Sequence, residues 1–201
     1  MPGWNTDDIG DQTGRTFVIT GANSGIGFEA ARALVAHGAH VVLACRSRPK
    51  AHDAVARIEA DGGSGSTEIL DLDLADLDSV RAAASTFLAG HDRLDVLVNN
   101  AGVMATPKRR TAQGVELQFG VNHLGHQPWS AYGRSKLANL LFTRELARRC
   151  TERGLPVVSV AAHPGGADTN LGNEPAGDPL SRALGVVWPF VKRLVTQSAA
   201  M

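Results

Sequence analysis

Tyr132 is the sole tyrosine of the sequence, and Lys136 stands four residues after it in "AYGRSKLANLL". In a helix this spacing sets both side chains on one face, one turn apart. A free phenol ionises near pH ~10 and exchanges protons poorly at neutral pH, whereas a neighbouring ammonium favours its charged form. The pair thus reads as a proton donor or acceptor with its electrostatic support. Spacing alone equally fits a Tyr–Lys pair on the wet face of an amphipathic helix.

A second constellation is "TGANSGIG" (20–27). Gly21 permits a tight turn, Gly25 lets the backbone approach a pyrophosphate, and Gly27 lets the next helix lie close to a sheet. Asn23, Ser24 and Ile26 complete the turn and are expected to line the same site. Helix N–H groups and the positive end of the helix dipole would hold phosphates there. About 20 residues further on, where an acid would bind a ribose 2′-OH, the sequence has Arg46, Ser47 and Arg48 in "ACRSRPK". A guanidinium can grip a 2′-phosphate with two hydrogen bonds. The expected cofactor is NADP(H) in preference to NAD(H).

The elements needed to position these groups are present. "TFVIT" (16–20), "HVVLAC" (40–45), "TEILDLDL" (67–74), "LDVLVNN" (94–100) and "PVVSVAAHP" (156–164) read as strands. Between them lie helices: one after the glycine turn with Ile26, Ala30, Ala33 and Leu34 on one face, then 48–60, 77–88, 112–126 and 131–153. A last helix, 178–195, should bend at Pro189. "TPKRRT" (106–111) reads as a solvated loop. Alternating strands and helices predict an α/β fold, a doubly wound parallel sheet with helices on both faces. The chain, 1–201, is expected to form a single dinucleotide-binding domain.

Composition excludes several classes. Twenty basic and twenty acidic side chains cancel, which gives no footprint for nucleic acid or an anionic membrane. No apolar run is long enough for a transmembrane segment. Cys45 and Cys150 form no framework, in keeping with a reducing, cytoplasmic setting. No metal site is expected: His123 and His126 have no acidic or cysteine partner at ligand spacing.

"TGANSGIG", "NNAG" (99–102), "GVNHLG" (120–125), "YGRSK" (132–136) and "HPGGADT" (163–169) follow one another in the order of the short-chain dehydrogenase/reductases. "GVNHLGH" and "SKLANLLFTRELARR" resemble the retinol-dehydrogenase-like branch. The resemblance implies a Rossmann-type fold and hydride transfer between a nicotinamide and a small apolar alcohol, aldehyde or ketone. By it, Tyr132 moves the proton, Lys136 binds the nicotinamide ribose, and Asn122 holds a water in the relay. Asp73, with Leu74 beside it, meets the adenine. Asn99, Ala101 and Gly102 line the adenosine side, and Pro164, Gly165 and Thr169 surround the carboxamide. A homodimer through helices 112–126 and 131–153 is a further implication.

The sequence also departs from this pattern. The family carries a catalytic serine at the end of a fifth strand, before the tyrosine. Only Gln127, Pro128, Trp129, Ser130 and Ala131 stand between His126 and Tyr132, too few for a strand and its loops. Ser130 is expected to cap the following helix. The fifth strand and the family's C-terminal strand are therefore expected to be missing. Either the 94–100 and 156–164 strands pair directly, or an edge is left open. The alternative function is a non-catalytic NADP(H)-binding remnant or interaction module, and a third reading is an unstable fragment.

Overall fold

The computed structural model describes residues 5–103, 109–122 and 128–162. The chain divides into two compact units, Met1–Ala101 and Gly102–Met201.

The first unit is built around β1 (Thr16–Thr20), β2 (His40–Cys45), β3 (Ser66–Asp71) and β4 (Val96–Val98), ordered β3-β2-β1-β4. All pairings are parallel. Helices α1 (Gly25–Ala36), α2 (Arg48–Ala60) and α3 (Leu77–Gly90) connect them. Side chains alternate across a strand, so each run of apolar residues feeds two cores. Phe17, Ile19, Val41 and Leu43 pack with Phe28, Ala31 and Val35 of α1 and Ala51, Ala54 and Ile58 of α2. Val18, Val42, Ala44 and Leu70 pack on the other face with Ala83 and Phe87 of α3. Continuous apolar strands are what a sheet buried on both faces requires.

The face of α1 differs from the expected one. Phe28, Ala31 and Val35 are buried, Ala30 and Leu34 pack at the rim, and Ile26 is 41% exposed. Phe28 outweighs Ile26 because its ring fills the α1–α2 space, with the Arg57 guanidinium over it at 4.1 Å.

At the start of the sheet, Asp95 Oδ2 accepts the Thr16 N–H at 2.8 Å, and Asp95 also pairs with Arg93. The Thr16 amide, then Arg93, hold its carboxyl below the usual carboxylate range. A depressed folded-state pKa contributes stability in full above the unfolded value, about pH 4. That contribution fades as pH falls through the lower, folded value. Asp95→Asn should therefore lower Tm at pH 7, and the gap to wild type should close in acid. A pH series of thermal melts checks this.

The second unit contains α4 (Leu117–Asn122) and α5 (Pro128–Glu152). The expected helix from 112 is shortened. Gly114 has φ +79°, Thr111 Oγ1 accepts the Val115 N–H, and an isolated bridge joins Arg110 to Glu116. A reverse turn thus occupies the first positions, and α4 begins only at Leu117. Gly120 lies against the Thr111 side chain with no room for a Cβ. At the other end, α5 starts at Pro128, three residues earlier than expected, with proline at a position where its missing N–H is harmless. Ser130 consequently sits inside the first turn and is not the cap.

The segment 156–162 is not a strand. Val157, Val158 and Val160 are 51%, 86% and 80% exposed. Among the described residues β4 pairs with β1 alone. Val96 and Leu97 are 37% and 51% exposed. The helix expected at 178–195 lies outside the described residues.

Candidate functional site

The strand order sets β1 beside β4, the position at which doubly wound sheets bind ligands beyond their strand ends. Both the glycine turn and "NNAG" emerge there. Gly21 has φ +67°, its N–H donates to Ala44 O at 2.9 Å, and an added Cβ would stand 3.0 Å from Ala101 Cα. Gly25 opens α1 with φ +58°. A Cβ at Gly27 would lie 2.9 Å from Gly21 O and overlap the Asn100 amide. Each glycine is thus required by geometry, as its position in the motif predicts.

The turn is fastened by two residues that the motif reading did not assign. Thr20 Oγ1 accepts from the Asn100 and Ala101 N–H groups at 3.0 and 2.9 Å. Asn100 Nδ2 donates to Thr20 O at 2.9 Å. The ends of β1 and β4 are laced together by one hydroxyl and one amide. The doubled asparagine was the visible signal. Asn99 is exposed, whereas Asn100 is half-buried and turned inward.

Below the turn lies Cys45. Burial pushes its thiol up, although the Ala22 and Asn23 N–H groups donate to the sulfur. It serves as packing and not as a nucleophile. At the head of α1, Ser24 makes no side-chain capping bond, and no acid occupies the first turn. The positive helix end is thereby suited to an anion.

Arg46 is exposed, and Ser47 is the N-cap of α2. Arg48 forms a 2.5 Å ion pair with Asp71, with both side chains more than half exposed. Such a pair is worth only about 0–1 kcal/mol, little obstacle to exchanging the carboxylate for a phosphate. Asp73 follows β3 and is half-buried like Leu74. Its Oδ1 accepts the Ala75 N–H at 2.9 Å, and its own N–H donates to Ser79 Oγ.

In the second unit Asn122 is buried. Its Oδ1 accepts the Val103 N–H at 2.7 Å and its Nδ2 donates to Val103 O at 2.5 Å. The amide imitates a ladder rung and fixes the "AGV" backbone. Gly102 lies beside it, with the position of a Cβ 3.4 Å from Asn122 Oδ1. Tyr132 and Lys136 both lie on α5, one turn apart. Pro164, Gly165 and Thr169 lie outside the described residues.

The family model for short chain dehydrogenase matches residues 15–126. The chain belongs to the short-chain dehydrogenase/reductase family. Retinol dehydrogenase 12 of Mus musculus is 40% identical over 195 residues, covering 76% of this chain and 61% of the relative. Retinol dehydrogenase 14 of Mus musculus is 38% identical over 240 residues, covering 92% and 71%. These matches set the chain on the retinol-dehydrogenase-like branch. An uncharacterised protein from Mycobacterium paratuberculosis shares 39% identity with a TM-score of 0.72, covering 84% of this chain and 75% of that one. A structure from Beutenbergia cavernae with bound NADP shares 31% identity with a TM-score of 0.59, covering 73% and 71%.

The chain spans 61% of the length of the first of these relatives. The second match extends over 240 positions while using 92% of 201 residues, so that relative carries residues with no counterpart here. A shortened chain is what the five residues between His126 and Tyr132 imply.

Proposed function

We propose that the protein is an NADP(H)-dependent oxidoreductase acting on an apolar alcohol or carbonyl compound. The observation that carries this reading is the glycine turn: two positive-φ glycines, a third without room for a Cβ, and an α1 terminus with no serine cap or acid. These residues fit a dinucleotide. Gly21–Gly27 would hold the pyrophosphate, Asp73 and Leu74 the adenine side, and Asn99, Ala101 and Gly102 the adenosine edge. A nicotinamide held there would supply the hydride chemistry. Tyr132 gives or takes the proton at the substrate oxygen, Lys136 favours its charged form and binds ribose, and Asn122 steadies the adjoining backbone.

Arg46 supports NADP(H) over NAD(H), with Arg48 joining it when Asp71 releases it. The NADP in the Beutenbergia cavernae relative agrees. Oxidation of NADPH and NADH should be followed with a panel of apolar aldehydes and ketones. Charge-assisted bonds are worth about 1.5–3 kcal/mol, so Arg46→Ala should raise KM for NADPH roughly 10–100-fold and leave NADH unchanged. Equal effects on both would remove Arg46 from 2′-phosphate recognition.

A second reading, nucleotide binding without turnover, draws on the five-residue stretch that leaves no place for the family's serine. NADPH binding by fluorescence with no turnover of any carbonyl selects it. We also propose a reducing, cytoplasmic location, in keeping with the free, buried Cys45 and Cys150. Self-association through α5 is supported by Leu137, Leu140 and Leu141, each more than half exposed.

A further inference from the structure

At the opposite end of the sheet from the glycine turn, three ligating groups from separate segments converge. His40 begins β2, Glu68 lies in β3, and His91 follows α3. The register that pairs His40 with Ser66 also pairs Val42 with Glu68, so the alternation of β3 puts Glu68 on the face covered by α3. His91 Nε2 and Glu68 Oε2 are 3.1 Å apart, His40 Nε2 and Glu68 Oε2 3.4 Å, and the two Nε2 atoms 3.3 Å. His91 is the most enclosed of the three, its ring stacked on Phe87 at 4.5 Å.

The outer nitrogens decide the chemistry of the inner ones. His91 Nδ1 is 3.2 Å from Phe87 O. A carbonyl only accepts, so Nδ1 carries the hydrogen and Nε2 presents a lone pair when the ring is neutral. His40 Nδ1 is 2.8 Å from Ser66 Oγ, which can accept its hydrogen in the same way. Two lone pairs and a carboxylate oxygen then face one point, an arrangement that repels itself unless a cation sits between them.

The spacing is that of a metal site. Zinc binds imidazole nitrogen and carboxylate oxygen at about 2.0–2.2 Å, so neighbouring ligands of a tetrahedral ion stand about 3.3–3.6 Å apart. Two edges, 3.3 and 3.4 Å, fall in that range, and the third, 3.1 Å, reaches it with a movement of a few tenths of an ångström in the half-exposed Glu68 side chain. Phe87 O and Ser66 Oγ supply the outer hydrogen bonds that ligating histidines use for orientation.

We propose that His40, Glu68 and His91 bind a divalent transition-metal ion, zinc by ligand type, with one coordination position left open. The ion would clamp β2, β3 and the end of α3 at a point remote from the nucleotide turn. Sequence spacing concealed the site because its ligands lie more than 20 residues apart and meet only through the sheet register.

The test uses the full chain without a histidine tag, stripped by chelator and titrated with Zn2+ against a chromophoric competitor. One Zn2+ per chain is expected, together with a tetrahedral-type visible spectrum when Co2+ replaces it. Saturating Zn2+ should raise Tm by about 5 °C or more. Glu68→Gln preserves shape at a half-exposed position and should weaken binding at least about tenfold. His91→Ala, which also loses the Phe87 stack, should abolish it. Failure of the wild-type chain to bind Zn2+ overturns the proposal and leaves a proton-sharing network. Binding of equal strength in wild type and Glu68→Gln overturns it too, because the ion then sits elsewhere.

Discussion

Replacing Tyr132 by phenylalanine should slow carbonyl reduction by about 10²–10⁴-fold and leave NADPH affinity within about threefold. The substitution removes one oxygen and nothing else, and α5 retains an aromatic residue at a position where helix propensity scarcely changes. What disappears is the only phenol in the chain. Lys136→Met should behave differently: in the proposed roles it would remove both the charge that favours the phenolate and a ribose contact, so KM for NADPH should rise as kcat falls. Steady-state kinetics with NADPH and one active aldehyde, together with a fluorescence titration, separate the two. If Tyr132→Phe turns over at the wild-type rate, proton transfer belongs to another group, while the nucleotide turn stands untouched. If wild type binds NADPH and reduces nothing, the binding-only reading prevails.

Gly27→Ala should damage the nucleotide turn directly. In a helix interior, alanine ordinarily gains about 1 kcal/mol over glycine. Here the sign reverses. The new Cβ would meet the Asn100 amide and stand 2.9 Å from Gly21 O, and that amide is already held by Thr20 O. Relief requires displacing Asn100, at about 1 kcal/mol for its hydrogen bond, and shifting backbone, at about 1–3 kcal/mol for overpacking. A net loss of about 1–3 kcal/mol corresponds to a Tm decrease of roughly 2–12 °C in a chain of this length. NADPH affinity should fall at least about tenfold as the turn deforms. Gly90→Ala is the control, because nothing lies within 4 Å of its added Cβ, and it should be neutral or stabilising. Thermal melts and NADPH titration of the two variants check the contrast. A Gly27→Ala protein as stable as Gly90→Ala would show that α1 does not depend on its close seat against Asn100.

The sequence displayed what is local. β2 and α2 fall where the β-branched run and the Ser47–Pro49 helix start put them, because adjacent residues determine both. The glycines of the turn were legible for the same reason: a positive φ is a property of one residue. The Thr20–Asn100 lacing was hidden, since its partners lie 80 residues apart and which of two adjacent asparagines turns inward depends on how the chain leaves β4. "PVVSV" misled because strand propensity is realised only beside a partner. Those residues remain exposed valines. The shortened α4 was obscured by apolar residues that fit a helical period, whereas Gly114 and Thr111 had already committed the chain to a turn.

The two faces of the sheet are unequal. Among the described residues of the first unit, the side covered by α1 and α2 is lined by a broad set of buried residues, whereas the α3 side has Phe87, Ala83 and a few strand residues. Cohesion is therefore lopsided, and opening fluctuations of the first unit should begin with α3 peeling away while the β1–β2 centre stays shut. Amide protons of α3 would then exchange with solvent long before those of Val41–Leu43.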